Sequence, residues 1–189
     1  AHRRETTSDL AAGRLDFAVD APLNTDPQVR HVKLMEDRYV CAMRQGHPFA
    51  GKPKISLDEY LALTHIHIST RRNGLGQVDL ALGKIGRQRK ITLRSQHYLM
   101  ATNVLQQTDM VMTVPERFAR RHALHFVALP LPELPNVETH LYWHESTEQD
   151  PANRWMREQL IEVCQQQIAL ENKSANASAL DVNVKQPVA

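Results

Sequence analysis

Three short stretches carry the side chains best suited to hold a small molecule. Ser69-Thr70-Arg71-Arg72-Asn73-Gly74 leads from an apolar run into a segment with helical spacing. A helix start presents N–H groups without carbonyl partners and a partial positive charge, which suits a carboxylate or another anion. Ser69, Thr70 and Asn73 add hydroxyl and amide donors, and Arg71 adds a charge. The same residue types also serve as ordinary helix caps, and the residues alone leave both uses open. Gln96-His97-Tyr98 repeats the arrangement at the next junction, where His97 can bond a ligand oxygen in either protonation state or simply sit at the helix start. Asp20-Ala21-Pro22 closes an earlier apolar run; Asp20 can bond a hydroxyl or cap its own loop.

Other chemistries are served less well. Among ten histidines, His65 and His67 share one face of a strand by alternation, as do His140 and His144. A zinc site needs about four convergent ligands, and no cysteine cluster joins the two pairs, so no metal and no cofactor are expected. Ser69, His97 and Asp79 are hydrolase residue types, but no Gly-x-Ser-x-Gly elbow presents the serine, and no catalytic residue is expected. Between Arg71 and Arg94, seven basic residues face Asp79 alone. Such a stretch can meet phosphates or draw in an anion; for Lys84 to Lys90 a solvated helix end and loop is the preferred reading. Aromatic residues are not interleaved with the charges, which disfavours stacking on single-stranded nucleic acid.

The elements that must position these junctions are legible in the hydrophobic pattern. Strands are expected at Leu15–Val19, Val29–Met35 and Arg38–Met43. Ser56 caps a short helix, Leu57–Leu63, with Glu59 at the capping-box position. Then strands Thr64–Ile68, Lys90–Leu93, Asp109–Val114 and Phe126–Leu129 alternate with helices Gly74–Ile85, His97–Gln107 and Pro115–His122. This β-α-β-α-β-α-β run predicts a parallel, doubly wound sheet. Pro130, Pro132 and Pro135 punctuate a link to a strand at Val137–His144. Asp150-Pro151 then opens a helix whose apolar face is Met156, Leu160, Val163, Cys164 and Ile168. The closing strand and helix need a sheet, and the N-terminal elements are the candidate. The chain would cross between two lobes near Met43–Pro48 and Leu129–Val137. Residues 1–45 and 135–170 then make a first, incomplete lobe, 46–134 a second lobe, and 171–189 a disordered polar tail. Two such lobes leave a cleft at their strand ends, where ligands bind in doubly wound sheets.

Composition agrees with a folded, soluble chain. The 189 residues are 42% hydrophobic and 23% charged, with a net charge of +2, which excludes wholesale disorder and is too balanced for a dedicated nucleic-acid module. No apolar run reaches the ~18 residues of a membrane span. Seven glycines disfavour a glycine-rich nucleotide loop. Cys41 and Cys164 sit in apolar surroundings and read as reduced, buried thiols of a cytoplasmic protein. Thr6–Gly13 reads as a helix end with glycine just past it; the chain enters mid-pattern, as a fragment would.

Four segments, in order, resemble the LysR-type transcriptional regulators. Leu10-Ala11-Ala12-Gly13-Arg14-Leu15-Asp16-Phe17-Ala18-Val19 resembles that family's "LxxGxLDxAI" element. Tyr39-Val40-Cys41-Ala42-Met43-Arg44-Gln45-Gly46-His47-Pro48 resembles its strand ending in His-Pro. Thr108-Asp109-Met110-Val111-Met112-Thr113-Val114-Pro115-Glu116-Arg117 resembles the branch of the nodulation regulators and the salicylate-responsive regulators of aromatic catabolism. Trp143-His144 with Asp150-Pro151-Ala152-Asn153-Arg154-Trp155-Met156-Arg157 is similar to that branch's closing strand and helix.

The resemblance implies a two-lobed α/β fold like the type 2 periplasmic binding proteins, its first lobe truncated at the N-terminus. It implies an effector-sensing part that binds a small aromatic or carboxylate-bearing inducer in the cleft. Its further partners would be DNA, through an N-terminal helix-turn-helix absent from this chain, and further copies in a homodimer or homotetramer, with no membrane. The expected effector-binding residues are Asp20, Ala21, Ser69, Thr70, Arg71, Asn73, Gln96 and His97; His97 matches a pocket histidine of the salicylate-responsive relatives. Those relatives carry Gly-His-Gly where this sequence has Gly74-Leu75-Gly76, a departure that argues for a different, more apolar effector. A transport-type solute-binding protein of the same fold is the alternative.

Overall fold

A computed structural model describes residues 5–23, 26–69, 75–131 and 134–183, with side chains described as far as Glu171. The chain divides into two compact units, residues 1–36 with 138–189, and residues 37–137.

The second unit is built on five strands: β3 (Tyr39–Met43), β4 (Thr64–Ile68), β5 (Lys90–Ser95), β6 (Val111–Pro115) and β7 (His125–Ala128), in the order β5-β4-β6-β3-β7. β4 runs parallel to β5 and β6, as the β-α-β pattern demands. β3 is different: it pairs antiparallel with both β6 and β7. The sheet is therefore mixed, a correction to the all-parallel expectation, and β3 belongs to this unit although the sequence reading ran the first lobe to residue 45. The cause is burial. Val40, Cys41, Ala42 and Met43 are all buried, and a strand apolar on both faces needs a central place in a covered sheet.

Alternation along these strands supplies two cores. Val40, Ala42, Ile66, Met112 and Val114 face α4 (Tyr98–Gln107) and α5 (Glu116–Arg121) through Ala101, Leu105 and Ala119. Cys41, Met43, Val111 and Val127 face α2 (Leu57–Ala62) and α3 (Gln77–Lys84) through Tyr60, Val78 and Leu82. The expected capping box opens α2: Glu59 N–H donates to Ser56 Oγ (3.2 Å) and Ser56 N–H to the Glu59 carboxylate (2.8 Å). α5 closes in a Schellman motif, with Leu124 N–H on Ala119 O and Ala123 N–H on Arg120 O. Its left-handed residue is Ala123, at φ 50°, rather than glycine.

The first unit holds α1 (Thr6–Ala11), β1 (Ala18–Asp20), β2 (Val29–Asp37), β8 (Val137–His144), a 3₁₀ turn at Glu145–Thr147 and α6 (Pro151–Asn183). Its sheet has the order β1-β8-β2, so the strand latest in sequence is the central one. Gly13, at φ 65°, ends α1 as expected. Asp150 caps α6 by accepting from Asn153 N–H at 2.7 Å. The buried side of α6 differs from the expectation. Met156 and Val163 are exposed, while Asn153 and Arg157 are buried and Leu160, Ile161 and Cys164 pack against Leu34 and Trp143. Arg157 tolerates burial because it donates to Asn153 Oδ1 and Glu148 O and lies over the Trp143 ring. The helix continues to Asn183, through the stretch read as a polar tail from residue 171. No helix among the described residues is long and apolar enough to cross a membrane.

Candidate functional site

Parallel β4 and β5 end side by side, with Ile68 opposite Ser95. Ser69, half-buried just past β4, donates its N–H to Ser95 O at 2.9 Å. Ser95 in turn organises the next junction: its hydroxyl accepts from His97 N–H (3.1 Å) and donates to His97 O (3.0 Å). Gln96 and His97 are exposed, and His97 occupies the N-cap of α4 without a side-chain capping bond. The first turn of α4 thus opens beside Ser69 with backbone donors that no helical carbonyl takes up. The fold brings Ser69, Gln96 and His97 together at the carboxyl ends of two parallel strands, where α/β sheets bind ligands. Thr70, Arg71 and Asn73 lie outside the described residues.

In the first unit, Asp20 ends β1, half-buried, and its carboxylate accepts from Ala21 N–H at 2.7 Å. The Tyr142 hydroxyl holds the same loop from beneath, accepting from Leu23 N–H (3.0 Å) and donating to Ala21 O (3.4 Å).

Beneath the first of these junctions lies a polar cluster that the sequence reading missed. Arg89 is buried, and its guanidinium donates to both Asp79 carboxylate oxygens, at 2.7 and 3.1 Å. Its Nη2 also donates to His67 Nδ1 at 3.1 Å, which places the His67 ring proton on Nε2. Asp79 Oδ2 accepts from Gly76 N–H at 3.1 Å, at the N-cap of α3. A Cβ on Gly76 would stand 3.0 Å from the His67 ring and 3.2 Å from Asp79 Oδ2, so a larger residue there would press on this cluster. Arg89 therefore departs from the solvated reading of Lys84 to Lys90, whereas Lys84, Arg87 and Lys90 are exposed. Burial works against the charge on Asp79, but the Arg89 bonds outweigh it and hold the carboxyl below its usual range. With its carboxylate committed to Arg89, Asp79 is not free to orient His97, which removes the triad grouping.

The neighbouring polar groups are held in their neutral forms. Burial pushes the Cys41 thiol and the Tyr60 phenol each up to about 12, against the opposing pull of Arg89. His65 donates from Nε2 to Tyr60 O at 2.9 Å, and its buried Nδ1 has no partner among the described residues; burial lowers its pKa to about 4. His65 and His67 thus have separate duties. So do His144, whose Nδ1 meets Ser146, and His140, which meets His31 and Glu138. Among the described residues no three metal-ligating side chains converge.

Residues 1–165 match the family model of the LysR substrate binding domain. The chain belongs to this family. The LysR domain is 32% identical over 158 residues to the HTH-type transcriptional activator NagR of Ralstonia sp, covering 82% of this chain and 52% of NagR. It is 35% identical over 155 residues to the HTH-type transcriptional regulator SyrM 1 of Sinorhizobium fredii, covering 80% of this chain and 46% of SyrM 1. The LysR domain thus spans about half the length of these curated relatives. Its fold is that of the effector binding domain of QuiR in complex with shikimate: TM-score 0.68 at 16% identity, covering 88% of this chain and 79% of the other. The two-lobed α/β architecture of type 2 periplasmic binding proteins is the fold of this LysR domain.

Proposed function

We propose that this LysR domain is the effector-sensing part of a DNA-binding transcriptional regulator, and that it binds a small aromatic or carboxylate-bearing inducer without turning it over. The observation that carries the reading is the Ser69–Ser95–His97 junction, where a half-buried serine, an exposed histidine and the open first turn of α4 meet at parallel strand ends. Those are donors, and an anion or a polarised oxygen is what donors collect. Thr70, Arg71 and Asn73 belong to the same recognition segment, and Asp20 with Ala21 forms a second element in the other unit. DNA would be met by a helix-turn-helix carried on the same polypeptide, the regulator working in the cytoplasm as a homodimer or homotetramer. Inducer acts by preferring one arrangement of the regulator over another. The similarity to NagR and SyrM 1, both HTH-type regulators, and to QuiR, whose effector binding domain holds shikimate, supports this reading over a transport role.

Calorimetric titration of the regulator with salicylate, shikimate and a panel of apolar aromatic carboxylates tests it. Saturable binding of a member of the panel that is weakened by His97→Ala is the expected result. Binding that no substitution at Ser69, Thr70 or His97 alters would move the site elsewhere.

A further inference from the structure

Arg89 stands one residue before β5, and its guanidinium reaches four other elements of the second unit. Nε and Nη2 donate to the Asp79 carboxylate of α3, and Nη2 also to His67 of β4. Nη1 donates to Thr113 Oγ1 of β6 at 3.4 Å, and that oxygen lies 3.0 Å from the Tyr60 hydroxyl of α2. We propose that Arg89 and Asp79 are positioning residues for inducer recognition. They set the end of β4 against the N-cap of α3, the two points between which the recognition stretch, residues 69–75, must run. The proposal rests on the inducer reading above.

Three observations support it. The first is connectivity. His67 lies two residues before Ser69, and Gly76 directly follows Leu75. Hydrogen bonds from His67 to Arg89, from Arg89 to Asp79 and from Gly76 N–H to Asp79 Oδ2 join those two ends without passing through the stretch between them. The second is the kind of bond. A guanidinium gripping a carboxylate by two N–H groups fixes orientation as well as distance. With the two side chains only 3% and 10% exposed, water competes little for it. A buried ion pair gains little stability over apolar side chains of the same volume, so what this one adds is a fixed geometry. The third is the fit at the N-cap. A Cβ on Gly76 would meet both His67 and Asp79, at 3.0 and 3.2 Å, so the start of α3 is seated directly on the cluster.

Hydrogen exchange and calorimetry on one set of variants of the regulator test it. Arg89→Met with Asp79→Leu keeps the cluster's volume and leaves no buried charge. In it, exchange of peptides spanning residues 69–77, read without inducer, should quicken while β6 and α4 keep the parent rate. Its affinity for the panel member that binds should fall about tenfold, the scale of one hydrogen bond to a charged group. Arg89→Lys, which keeps the charge but loses the fork, and Gly76→Ala, which keeps both charges, should weaken binding too and stand in if the double variant fails to fold. Arg87→Met, which removes an exposed cation, should change neither reading. A folded double variant with parent exchange at 69–77 would overturn the proposal, wherever the inducer binds. Tighter binding in Asp79→Asn would overturn it as well, because Arg89 would then act on the inducer through its charge. Affinity lowered by His97→Ala but not by the double variant would sink this proposal and leave the inducer reading standing. Affinity that His97→Ala and Thr70→Ala leave untouched would sink the inducer reading, and this proposal with it.

Discussion

Arg89 grips Asp79 by two N–H···O bonds of 2.7 and 3.1 Å, with both side chains at least nine-tenths hidden from water. The pair links α3 to the stretch just before β5, and through His67 and Gly76 it reaches both flanks of the segment that holds Thr70, Arg71 and Asn73. An ion pair in such a place is costly to break, because the partner left behind stays buried and charged.

Asp79→Ala should therefore destabilise the second unit by about 3–5 kcal/mol. The double variant Arg89→Met with Asp79→Leu should recover most of that loss, since it leaves no buried charge. Both tryptophans, Trp143 and Trp155, lie in the first unit. Far-UV circular dichroism in urea reads the effect on the second unit, with tryptophan fluorescence as an internal reference. A double variant no more stable than Asp79→Ala alone would contradict the argument.

Acid should act through His65. Its folded pKa of about 4 lies below the ordinary value of 6.5, so the unfolded chain binds the proton more readily. The contribution is complete above pH 6.5 and is lost as pH falls toward 4, to a total of about 3 kcal/mol. His65→Phe, which cannot titrate, should flatten stability measured across that window. An unchanged slope would show that another group governs the acid limb.

Ala123 holds a left-handed conformation at the end of α5. Ala123→Gly removes the Cβ clash at the cost of a more flexible unfolded chain, and should stabilise by about 0.5–1 kcal/mol. The urea midpoint should rise with an unchanged slope. Gly13→Ala, at φ 65°, should shift the midpoint the other way. A fall for Ala123→Gly would mean that its methyl contributes packing that outweighs the strain.

Inducer recognition is tested at single side chains. In a regulator with a measurable ligand, His97→Ala or Thr70→Ala should each weaken binding by about tenfold, the scale of one hydrogen bond to a charged group. Ser95→Ala should do so indirectly, because Ser95 sets the backbone at His97. Calorimetry reads all three; equal affinities would remove the junction from the site.

The parts of this molecule written in local pattern were legible before any coordinates. The bounds of β4 and β8, the capping box of α2 and the glycine after α1 follow from alternation, spacing and cap chemistry within a few residues. What depended on distant partners was not. β3 joins the second sheet because β6 and β7 flank it, which no feature of Tyr39–Met43 announces beyond its double-sided burial. Arg89 looked like one cation in a basic stretch, and only Asp79, ten residues earlier, makes it a buried one. Arg157 and Asn153 displaced Met156 and Val163 from the inner side of α6 because Trp143 and Glu148 meet them there. Of the candidate site, the structure joins Ser69, Gln96 and His97 through Ser95, a residue with no signal of its own, and places Asp20 and Ala21 in the other unit.

Every strand of the five-stranded sheet comes from one uninterrupted stretch, residues 37–137, whereas β1 and β2 must wait for β8 to lie between them. During synthesis the later-starting half is thus the first to hold all its pieces as the polypeptide leaves the ribosome. The edges of β1 and β2 that face β8 meanwhile stay without the strand between them until Val137–His144 arrives.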